Sequence, residues 1–148
     1  MRVQWKTDRS GQLIADYFPY HDGHTGSFRF DATKMAFELE VTRHDLGEIC
    51  VFRFLDVRHY GLSLKNIDIV GRAFLWPLAD SPRPVRDDKD DPWALIFPHD
   101  HGSKLDEAAE RETNRSADAW LIAIYCNMDG RLAMICRDME LELRTIPE

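Results

Sequence analysis

The stretch from Phe28 to Leu64 opens with Phe28-Arg29-Phe30, turns at Asp31-Ala32-Thr33-Lys34 and continues as Met35-Ala36-Phe37-Glu38-Leu39-Glu40-Val41. Met35, Phe37, Leu39 and Val41 fall on one face, and Ala36, Glu38, Glu40 and Thr42 on the other. Period two is the mark of a half-buried strand, because successive side chains leave a strand on opposite sides. Phe28 and Phe30 alternate with Arg29 in the same way. After a turn at Arg43-His44-Asp45-Leu46-Gly47 comes Ile49-Cys50-Val51-Phe52-Arg53-Phe54-Leu55-Asp56-Val57. That run breaks alternation at Val51-Phe52 and Phe54-Leu55, as a strand does when both faces are covered or a bulge bends it. The three pieces read as an antiparallel meander with one apolar face to cover.

Working outward, Val3 and Trp5 suggest a first strand, and Gln12 to Phe18 a strand or helical turn ended by Pro19. His21 to Gly26 reads as a loop by composition. Downstream, Tyr60, Leu62 and Leu64 alternate, Asn66 marks a turn, and Ile67 to Trp76 resumes strand character until Pro77. Residues 78–118 form an acidic, proline-rich insert within a single β-rich domain spanning 1–148. Within it Trp93-Ala94-Leu95-Ile96-Phe97 is apolar and expected to dock on the sheet. Ser103 with Asp106 three residues on resembles a capping box, and helix formers with Leu105, Ala108 and Ala109 on one side predict a surface helix to Arg115. Ala119 to Cys126 and Arg131 to Leu143 then flank Asp129-Gly130, a strong hairpin signal because both turn residues tolerate positive φ.

The fold expected is mainly β: about eight strands in an antiparallel β-sandwich or partly open barrel, with one short surface helix. Its core should include Phe28, Phe30, Phe37, Leu39, Val51, Phe54, Val57, Leu62, Ile69, Phe74, Trp120, Ile122, Ile124, Leu132, Met134 and Ile135.

Composition narrows function by exclusion. No apolar run reaches the roughly 20 residues of a membrane span, and Met1-Arg2-Val3-Gln4-Trp5-Lys6 lacks a signal-peptide block, so a cytoplasmic location is expected. A formal charge of −7 argues against nucleic acid, which is held by clustered Lys and Arg, and points to a basic protein partner. Cys50, Cys126 and Cys136 all lie in apolar strand-like runs and read as reduced, buried thiols. No nucleophile elbow and no glycine-rich phosphate loop is present.

Two patterns remain as candidate sites. His21 and His24, each near Asp22, and His99 and His101, flanking Asp100, have the residue types and loop setting of a zinc or iron site, which would make the chain a metal-dependent enzyme. The competing reading makes them polar loop residues, with the aspartates capping turns. Asp87, Asp88, Asp90 and Asp91 form the densest acidic run. From Val85 to Asp118 there are ten acidic and five basic residues, a difference of −5 that carries most of the chain's −7. Such a segment is either a solubilising excursion or a docking surface for a basic partner. His59 and the carboxylate pairs Glu38/Glu40 and Glu140/Glu142 read as structural or solvated groups.

Phe18-Pro19-Tyr20-His21-Asp22-Gly23 leading into alternating strands, Phe54-Leu55-Asp56-Val57 before Leu62 and Leu64, and Gly130-Arg131-Leu132-Ala133-Met134-Ile135-Cys136 before a Glu-rich closing strand together resemble the immunity-protein-50-like group of small bacterial β-proteins. The resemblance covers about residues 18–64 and 130–143. It implies a cytoplasmic protein that neutralises a partner toxin without catalysis, and it carries no catalytic residue. The proline-rich acidic insert departs from that group's pattern.

Overall fold

The computed structural model describes residues 23–63, 70–85, 88, 90–126 and 130–147. The expected segments at Val3 to Trp5 and Gln12 to Phe18, the turns at Asn66 and Asn127 to Asp129, and core residue Ile69 lie outside them. Six strands are described: β1 (His24–Asp31), β2 (Ala36–Arg43), β3 (Glu48–Ser63), β4 (Val70–Pro77), β5 (Trp120–Cys126) and β6 (Arg131–Thr145). All pair antiparallel in one sheet of order β1-β2-β3-β6-β5-β4. The protein is therefore mainly β, as the alternation requires.

Among the described residues the sheet curls without closing into a barrel. Thr25 and Phe28 of β1 share an apolar seam with Ile124 and Cys126 of β5, although three strands separate them in the sheet order. The concave face holds the main core, with Phe37, Leu39, Val41, Phe52, Phe54, Leu75, Ile122, Met134 and Leu141 all nearly inaccessible. Cys50 and Cys136 belong to it, and burial pushes their thiols up to about 11 and about 12. None of the three cysteines is in a disulfide.

Two kinks give the sheet its curl. On β3 the inward residues run Cys50, Phe52, Phe54 and then Val57; on β6 they run Leu132, Met134, Cys136 and then Met139. Both strands slip parity at the same level, where Leu55 faces Asp138 and Asp56 takes φ 50°. One step on, Arg58 is an extra residue between Val57 and His59, a bulge that turns His59 and Gly61 to the other face, leaving Leu62 against the main core and Tyr60, half exposed, against Phe37. The broken alternation of this run is thus a bend.

Three sequence expectations are corrected by the turn and edge geometry. Met35 is not in a strand: it closes the turn at φ 49°, is 47% exposed, and its carbonyl accepts the Val57 N–H at 2.8 Å. Phe30 is not core; it lies at the end of edge strand β1, 44% exposed, against Phe37 and Tyr60. His24, Thr25 and Gly26 are strand rather than loop, paired with β2 through a bulge between Thr25 and Phe28.

The connection from β4 to β5 covers the convex face of β5 and β6. A 3-10 turn (Leu78–Asp80) leads to α1 (Pro92–Ile96) and α2 (Ser103–Arg115). Leu121, Ala133 and Ile135 face outward from the sheet to meet Leu78, Trp93, Ile96, Leu105 and Ala109. Trp93 is fully buried, which at about 25 cal/mol per Å² over roughly 200 Å² is worth about 5 kcal/mol before entropy. The apolar run at 93–97 docks as expected, but as a helical turn. The expected capping box is absent: Gly102, at φ 58°, takes the N-cap position with no side-chain bond, and Ser103 is the first helical residue.

Elsewhere the outer face carries a ladder of charges. Arg29, Glu38, Arg53 and Glu140 are register partners across β1, β2, β3 and β6. Glu38 accepts from Arg29 and, at 2.7 Å, from Arg53; Arg53 also donates to Glu142 at 2.7 Å, and Arg144 to Glu142 at 3.0 Å. Hydrogen bonds from Arg144 and then Arg53 hold the Glu142 carboxyl down at about 2 from an ordinary 4.5. A carboxyl depressed by folding stabilises the native state above its unfolded value, and that support is lost as pH falls toward the folded one. Thermal melts from pH 4.5 down to about 2 should therefore slope less in Glu142→Gln than in the wild type; equal slopes would exclude the ladder as a source. Solvent screening keeps the effect small.

Candidate functional site

The β4–β5 connection folds around a cleft of about 400 Å³. One wall is the segment bearing Pro84, Val85 and Asp88. The other is the end of α1 with Ala94 and Pro98, the loop with Asp100 and His101, and the first turn of α2 with Leu105 and Asp106. Pro84, Val85, Ala94, Pro98 and Leu105 give the lining its carbon, and Asp88, Asp100 and Asp106 bring three carboxylates to it.

Local chemistry explains how the walls are held. Asp91 caps α1: its carboxylate accepts from the Trp93 N–H and from the Val85 N–H, each at 3.2 Å, and Pro92 follows at the first helical position. Asp88 accepts the Asp90 N–H at 2.9 Å, and the Trp93 indole donates to the Pro82 carbonyl at 2.8 Å. Burial pushes the Asp91 carboxyl up. The two N–H bonds pull it down, and the charges of Asp88 and Asp106 raise it further, so the field here is negative.

A cleft lined by both carboxylates and apolar side chains suits an amphipathic cation. The methylene stem of Lys or Arg lies along carbon while its head stays among the carboxylates, and guanidinium–carboxylate hydrogen bonds are about twice as strong as neutral ones.

The acidic run read from the sequence divides three ways. Asp88 is exposed and lines the cleft. Asp90 faces the sheet, where Arg131 donates to its carboxylate at 3.2 Å and the Tyr125 hydroxyl to its carbonyl at 2.6 Å. Asp91 is not on the surface as a docking role would need: it is 3% exposed, and its carboxylate caps α1. Asp87 lies outside the described residues. Asp100 and Asp106, which line the cleft with Asp88, look in the sequence like a turn cap and half of a capping box. Nothing in a linear pattern pairs them with Asp88.

The histidines do not gather among the described residues. His101 lines the cleft and His99 is exposed in the same loop, while His24 lies in β1 with its ring 5.9 Å from that of His44. His21 lies outside the described residues. Among those residues no group of three or more His, Cys, Asp or Glu side chains is close enough to hold a metal. His59, read as a structural group, has a partner invisible in sequence: the Glu112 carboxylate of α2, 3.0 Å from Nε2, which also accepts from the Ser116 hydroxyl at 2.9 Å.

No helix among the described residues is long and apolar enough to cross a membrane. In comparisons with family models, curated proteins and solved structures, nothing matches this chain.

Proposed function

We propose that this chain is a non-catalytic binding protein that engages a basic partner protein, its acidic cleft taking a Lys or Arg side chain of that partner. The observation that carries the reading is that Asp88, Asp100 and Asp106 line one cleft together with Val85, Ala94 and Leu105. The concentration of negative charge in residues 85–118 adds a long-range field that speeds encounter with a basic surface. This is the behaviour expected of an immunity-type protein in a bacterial cytoplasm, which the resemblance of residues 18–64 and 130–143 to that group suggested.

The test uses a penta-arginine peptide and isothermal titration. Binding is expected at low salt and should weaken as salt rises, since exposed charges are screened over about 10 Å at 0.1 M. The triple variant Asp88→Asn, Asp100→Asn and Asp106→Asn should lose at least about tenfold in affinity. Unchanged affinity would remove the cleft from the account. This variant is cleaner than neutralising Asp87, Asp88, Asp90 and Asp91 together, because Asp90 and Asp91 hold the loop itself. The same reading expects no stoichiometric zinc or iron in untagged protein, which elemental analysis reads directly.

A further inference from the structure

The segment that forms one wall of the acidic cleft also forms a wall of a second hollow behind it. That hollow, about 290 Å³, is lined by Phe74 and Tyr125, with the Arg72 guanidinium 5.9 and 5.8 Å from their ring centres. Val85 and Asp88 line both hollows. Val85, 56% exposed, and Asp88, also exposed, have few neighbours to pack against, so hydrogen bonds do much to place them.

Those bonds fall into three sets, one of which ties the start of the segment to the helices: the Trp93 indole to the Pro82 carbonyl at 2.8 Å and Arg83 to the Thr113 hydroxyl at 3.4 Å. The Asp90 N–H to Asp88 carboxylate, the Asp91 N–H to Asp88 carbonyl and the Val85 N–H to Asp91 carboxylate shape the segment internally. From the sheet side, the segment is gripped at Asp90: the Tyr125 hydroxyl takes its carbonyl at 2.6 Å and Arg131 its carboxylate at 3.2 Å. Tyr125 and Arg131 are register partners across β5 and β6, so a single cross-strand pair supplies both contacts. Burial, with the nearby aspartates, pushes the Tyr125 hydroxyl up to about 12, which keeps it a donor at any ordinary pH. Arg131 also neutralises Asp90, leaving Asp88 as the run's described charge in the cleft.

We propose that Tyr125 and Arg131 are positioning residues for the acidic cleft: by holding Asp90 they set the height at which Asp88 and Val85 stand opposite Asp100 and Asp106. The consequence for binding rests on the function proposed above; the grip on the segment does not.

Amide exchange by NMR on the full chain separates the two. In Tyr125→Phe, the Val85, Asp90 and Trp93 amides should exchange about tenfold faster, the effect of one lost hydrogen bond. The Ala108 and Ala109 amides of α2 should keep wild-type rates. Arg131→Gln should act likewise, and Arg131→Lys, which keeps the charge, should recover part of the protection. Affinity for the penta-arginine peptide should fall in step while the melting temperature hardly moves. Unchanged exchange at Val85, Asp90 and Trp93, or an equal rise along α2, would overturn the inference. If wild-type protein fails to bind penta-arginine, the functional reading falls and the exchange rates alone decide this one.

Discussion

Gly61→Ala should unseat α1 from the sheet and cost about 3 kcal/mol or more, at the upper end of what overpacking does. A Cβ at Gly61 would stand 1.9 Å from the Leu95 carbonyl oxygen, 2.3 Å from its carbon and 2.9 Å from the Ile96 nitrogen. All three are backbone atoms, so no rotamer change relieves the clash and the helical turn itself must retreat. With it go Trp93 and Ile96, both buried against Leu121 and Ile135. On a chain of this size the loss should lower the melting temperature by roughly 10 °C. Gly26→Ala is the control, because its Cβ would meet Glu40 at an ordinary 3.5 Å. Comparable stability of the two variants would show that α1 does not rest on β3 in this way.

The second large effect concerns Glu112, whose side chain is 4% exposed and whose carboxylate is shared between His59 and Ser116. Removing one member of a buried pair strands the other charge, which costs about 3–5 kcal/mol when burial is complete. His59 is 35% exposed and reaches water, so His59→Ala is expected to cost less, about 2 kcal/mol, with Glu112→Ala similar. The informative variant is the double, His59→Phe with Glu112→Leu. The Phe97 ring, 5.1 Å from the imidazole, offers apolar company, so replacing both partners should cost little beyond the roughly 1–3 kcal/mol of leaving the buried Ser116 hydroxyl without its acceptor. Denaturant unfolding of His59→Phe, Glu112→Leu and their double gives the coupling. Additive losses would mean that His59 and Glu112 act independently.

Much of the architecture is legible in the chain because its physics is local. Phe37, Leu39 and Val41 alternate in the sequence and all three face the core, since β2 has no irregularity along the Phe37 to Arg43 ladder. The antiparallel pairing of β5 with β6 is expected from two apolar runs on either side of a turn signal, and the helix from Ser103 to Arg115 from its composition. Where two strands slip together, at Leu55 and Asp138, alternation fails in both and only their pairing explains it. α1 has five residues, too few to show a helical period, so only its apolar character could be read.

The candidate site is less legible for a related reason. Local charge density drew attention to residues 87–91, but what an aspartate does depends on where its carboxylate points. The fold turns Asp91 inward to cap α1, ties Asp90 to Arg131 and leaves Asp88 to join Asp100 and Asp106. His59 and Glu112 are separated by 53 residues, and no short-range pattern signals such a pair.

The place of β6 beside β3 also bears on how the protein is made. The two central strands are far apart along the chain, Arg53 and Glu142 being 89 residues distant. A ribosome that has released the β1–β2–β3 meander has therefore produced half a sheet, with Phe52 and Phe54 uncovered and one margin of β3 lacking its neighbour. Closing so long a loop is slow, and an unpaired margin is adhesive. The nascent chain is thus most vulnerable to aggregation between emergence of residue 63 and arrival of the final strand, the interval in which a chaperone would matter most.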